Sequence, residues 1–161
     1  MRATVGAALC LAGGIALPIG AQVQRTPPFE AEMRADAIVA RSPSVQAGVG
    51  VEIPAGVYVR VGLDGAAGAT WRDGAAGTSG RVDAVARFLL DPFREVPVGL
   101  SFGGGVSLPV GAPEGSRSPY LTLVLDIEGR VRHGFAPALQ LGLGGGARIG
   151  VVLRRSAPQW R

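Results

Sequence analysis

Eight charged side chains are the residues of this sequence best placed to do chemistry. Arg60, Arg81, Arg87 and Arg148 stand against Asp64, Asp83, Asp126 and Glu128, and within each alternating stretch they fall on the side that carries no large apolar residue. Guanidinium and carboxylate are strong partners where water is excluded, because the planar fork of arginine matches a carboxylate. Such a set can close an interior with ion pairs, or it can line a path for small charged solutes. Narrow β-interiors are normally filled by side chains, so closure is the expected role. Hydrolysis would need a nucleophile, a base and an orienting carboxylate at one place. The only histidine, His133, falls in an expected turn beside Arg130 and Arg132. No serine is obviously paired with Asp126 or Glu128, so no catalytic residue is assigned. A metal site would need a second histidine, or a cysteine outside the expected signal peptide, and none is assigned. Residues 142–147 (GLGGGA) fit the pattern G-x-G-x-x-A, which binds dinucleotides only where a helix follows. The next residues, RIGVVL, alternate like a strand, so no cofactor is expected.

The elements that must position these charges are strands. Residues 57–71 (VYVRVGLDGAAGATW) alternate strictly, with Val57, Val59, Val61, Leu63 and Trp71 on one face and Arg60 and Asp64 on the other. A period of two means a strand with two chemically different sides. The same alternation marks residues 45–53, 81–90, 98–110 and 120–128, and the run 135–153. The last run is one long strand, or two joined by a turn at 144–146. Residues 30–40 fit a strand from about Arg34 or a short helix begun by Pro27-Pro28. Turns are expected at 54–56, 91–97 and 129–134, and longer loops at 72–80 and 111–119.

Composition narrows the possibilities further. All 16 basic residues are arginine, and they are spread singly along the 161-residue chain. No basic helix or arginine–aromatic patch appears, which argues against nucleic acid as a partner. Residues 1–21 read as a secretory signal peptide: Met1-Arg2, an apolar run over 3–17, then Pro18 and small residues up to Ala21. Cys10, the one cysteine, falls inside it. Residues 22–33 are expected to be a flexible leader, 34–155 a β-barrel and 156–161 a C-terminal tail.

Together these readings give an all-β fold, an antiparallel up-and-down meander of seven or eight strands closing into a small transmembrane β-barrel. Three features favour a lipid-facing exterior. Charges are excluded from the apolar face, where an arginine near the bilayer centre costs about 2–4 kcal/mol. The polar face is rich in glycine, alanine and serine, which suits a cramped lumen. Short and long connections are expected to alternate. The alternative is a soluble periplasmic or secreted β-barrel that binds an apolar ligand in its interior.

Over residues 34–155 the chain resembles the small bacterial outer-membrane β-barrel proteins, by architecture and without a diagnostic motif. Trp71 on the loop side, with Phe88 and Phe135 on the turn side, corresponds to the membrane-interface aromatics of that class, whereas Trp160, penultimate and following Pro158, departs from the aromatic residue that commonly ends its last strand. The resemblance implies export to the outer membrane, with outer-membrane lipid and the outer-membrane assembly machinery as partners. It also implies a structural or surface-interaction role without catalysis. A lipid-modifying enzyme embedded in such a barrel would have to use His133.

Overall fold

A computed structural model describes residues 29–93, 95–111 and 118–155. Eight antiparallel strands follow in chain order: β1 (Glu30–Val39), β2 (Ser44–Pro54), β3 (Val59–Arg72), β4 (Ala75–Leu89), β5 (Gly99–Val110), β6 (Tyr120–Glu128), β7 (Phe135–Leu143) and β8 (Ala147–Arg155). Each pairs with the next, and β8 pairs with β1, which closes the barrel. No sheet edge is left to template aggregation along the wall.

Every strand pair keeps one register throughout its length, without a bulge. The pairings lead from Ala35 through Ala47, Ala67 and Gly80 to Val110. Carrying the same offsets across β6, β7 and β8 returns to β1 ten residues further on. That stagger around eight strands implies a tilt of about 40° and a narrow interior. A ten-residue strand rising about 3.3 Å per residue at that tilt covers about 25 Å of height. This is the height of the apolar band on membrane barrels, roughly 25 Å.

Four expectations change or resolve. Residues 30–40 are strand, and β1 starts at Glu30 rather than near Arg34, so the leader expected over 22–33 ends sooner. Glu30 and Glu32 lie opposite Glu52 and Gly50 of β2, and Glu32 also lies opposite Arg154 of β8, so this stretch is held from both sides. The loop expected at 72–80 does not exist. β3 and β4 pair up to Arg72 and Ala75, and only Asp73-Gly74 joins them, with φ of 51° and 79°. Two positive φ values define the tight I′ hairpin turn that Asp-Gly favours. With that loop gone, the expected alternation of short and long connections fails as well. The run 135–153 is two strands around Gly144–Gly146. The segments 1–21, 22–28 and 156–161 lie outside the described residues.

The side-chain distribution inverts that of a soluble protein. Among the described residues, thirty-two large apolar side chains are exposed, Leu121 at 78% and Val49 at 65%. Most of the buried side chains are charged or polar.

Candidate functional site: the ionic lumen

The lumen has room for long side chains because glycine faces many of them. A Cβ built on Gly62 would sit 2.8 Å from Nη1 of Arg87, and one on Gly142 would sit 2.9 Å from Nε of Arg148. Gly50 and Gly150 likewise make room for the carboxylates of Asp64 and Asp36. The small polar face of the strands thus leaves space for guanidinium groups to lie across the barrel.

Ion pairs gather in two tiers. On β4, Val85 separates Asp83 from Arg87, and on β8, Val152 lies between Arg148 and Arg154; both valines are fully buried. Toward the end bearing the first and last described residues, Arg154 reaches four carboxylates: Glu128 at 2.6 Å, Asp126 at 2.9 Å, Glu32 at 3.1 Å and Glu52 at 3.5 Å. Arg87 lies beside it, bonded to Glu52 and 3.0 Å from Asp126. Toward the far end, Arg148 pairs with Asp83 at 2.7 Å, and Arg81 with Asp83 at 2.9 Å and with Asp36. Arg34 joins the tiers. It contacts Asp64 at 2.8 Å, Asp36 at 2.9 Å and Glu32 at 3.4 Å, and donates to Gln140. Gln140 in turn donates to Asp126 at 2.7 Å.

Of the eight charges singled out from the sequence, Asp64, Arg81, Asp83, Arg87, Asp126, Glu128 and Arg148 are buried in this network. Arg60 sits at the mouth, 3.4 Å from Glu128 and 3.7 Å from Glu30 and Glu52. The set was incomplete. Glu32, Arg34, Asp36, Glu52 and Arg154, with Gln46 and Gln140, are equally central. The signal for the first three was the i, i+2 spacing of Glu32, Arg34 and Asp36, hidden by the strand-or-helix ambiguity of that segment.

The remaining candidates resolve individually. His133 occupies the tip of the β6–β7 turn with φ of 51°, outside the lumen network. Residues 142–147 run from β7 through the Gly144–Gly146 turn into β8, so a strand stands where a dinucleotide site needs a helix. The apolar-ligand reading fails because the interior is charged and the valines and leucines point outward. Trp71 lies at the far end of β3, while Phe88 and Phe135 lie at the opposite end of the barrel. Phe88 stacks on Tyr58 at 5.8 Å between ring centres and lies 5.5 Å from Phe102. Ala86 and Gly104 floor an outward-facing groove beside Phe88, Phe102 and Leu123.

No protein-family model matches the chain, and no curated protein matches it. Among solved structures, it is similar to a barrel described as a de novo design of transmembrane β-barrels. The TM-score is 0.58 at 9% identity, covering 83% of this chain and 98% of that one. It also aligns with the N-terminal β-barrel domain of OprF from Pseudomonas aeruginosa, at 13% identity and a TM-score of 0.46, covering 78% of this chain and 96% of that one. The chain has the fold of a small membrane-type β-barrel.

Proposed function

We propose that this protein is an outer-membrane β-barrel with a structural or surface-interaction role, non-catalytic, its lumen plugged by small residues and ion pairs. The observation that carries this reading is the inversion of the side chains along the strands. Outward valines, leucines and isoleucines ring the barrel, and most charges of the strands are enclosed. Soluble monomers rarely expose a contiguous apolar patch above a few hundred Å², and here the patch runs around the circumference. Hydrocarbon is the solvent that makes this arrangement favourable. Residues 1–21 would direct export, and the outer-membrane assembly machinery would insert the barrel among outer-membrane lipids.

Membrane fractionation tests the reading. The protein is expected to need detergent for extraction and to migrate faster on gels unheated than boiled, as closed barrels do. A protein that is folded and soluble in buffer alone would refute it.

A further inference from the structure

The chemistry at the end of the barrel bearing the first and last described residues is unevenly distributed. The β6–β7 turn carries Arg130 and Arg132, and β8 ends at Arg155, all exposed. Arg132 and Phe135 bond reciprocally through their backbones, at 2.8 and 2.9 Å, and Phe135 lies opposite Arg155. In the sheet, an exposed aromatic ring is therefore flanked by arginine positions on both sides, with exposed Val131 in the same turn. No carboxylate among the described residues pairs with these three arginines. The nearby acids are engaged elsewhere, Glu128 with Arg154 and Arg60, and Glu30 with Arg60. Above the row, Leu139, Leu141 and Val151 are exposed on the outer wall.

We propose that this corner, built from Arg130, Arg132, Phe135 and Arg155, is a binding surface for the phosphate headgroup of an anionic phospholipid, whose acyl chains lie along β7 and β8. The proposal rests on the membrane reading above. Guanidinium groups bind phosphate in a planar, bidentate geometry. An aromatic residue with arginines at the edge of an apolar wall is the arrangement that suits the boundary between headgroup and hydrocarbon. The occupant is a lipid rather than a free anion, because the cations adjoin continuous apolar surface that a small ion would leave uncovered.

The test uses the full chain folded into nanodiscs of phosphatidylcholine, with and without phosphatidylglycerol, and lipids retained on the released protein are counted by native mass spectrometry. The wild type is expected to retain phosphatidylglycerol with roughly tenfold enrichment. The preference should weaken in high salt. Replacing all three residues, Arg130→Gln, Arg132→Gln and Arg155→Gln, is expected to abolish it, while Arg41→Gln with Arg72→Gln at the opposite end leaves it intact. Equal retention of both lipids by a properly inserted wild type would overturn the headgroup site alone. Displacement of the lipid by millimolar inorganic phosphate would identify a free-anion site and overturn the lipid assignment. Failure to insert even into phosphatidylcholine would overturn this proposal together with the membrane reading.

Discussion

A single arginine shows how tightly the interior is specified. Arg154 contacts Glu32, Glu52, Asp126 and Glu128 within 3.5 Å and is almost wholly enclosed. Removing one cation from a buried ionic set leaves carboxylate charge there without full compensation, which costs up to about 3–5 kcal/mol. Arg154→Met is therefore expected to lower stability by that amount, measured by urea unfolding of the protein folded in vesicles. Glycines make a sharper contrast. A Cβ on Gly105 would sit 1.9 Å from the backbone oxygen of Ala84, whereas one on Gly65 meets nothing within 4 Å. In the same assay, Gly105→Ala is expected to destabilise by about 1–3 kcal/mol, and Gly65→Ala to be neutral or slightly stabilising. At this scale the sequence showed which side of each strand is polar. It could not show which acid meets which base, because those pairings join residues up to 122 positions apart in the chain, some on neighbouring strands and others across the lumen, as Arg148 with Asp83.

The strands were legible because one property, alternation, was enforced on nearly every element by two unlike environments. The connections were not. Residues 75–80 (AAGTSG) have the composition of a loop, yet they pair residue for residue with β3. The decisive signal was Asp73-Gly74, whose two positive φ values need no further residues to reverse the chain. A β-branched side chain at a positive φ is strained, so Asp73→Val is expected to cost about 1–2 kcal/mol. Asp73→Asn is expected to change little, since asparagine tolerates the same conformation. Parallel unfolding curves of the two variants check this, and equal losses would show that the turn does not set the hairpin. The ambiguity of residues 30–40 has a different origin. Its alanines and glutamates suit helix and strand alike, and only the pairing with both β2 and β8 settles it as strand.

For the molecule as a whole, the question is which solvent the exposed valines and leucines meet. The overall class, an up-and-down closed barrel, was readable from the pattern, while the choice of eight strands over seven depended on the Gly144–Gly146 turn. The most direct measurement places a spin label on the outer wall. With Cys10→Ser as background, Val49→Cys and Leu141→Cys are labelled and the protein is folded into lipid vesicles. Labels on opposite sides of the barrel are then both expected to collide far more often with oxygen, which dissolves in hydrocarbon, than with a water-soluble nickel chelate. Ready access of the nickel chelate to both labels, in a protein that is nonetheless folded, would place the apolar wall in water and contradict the account.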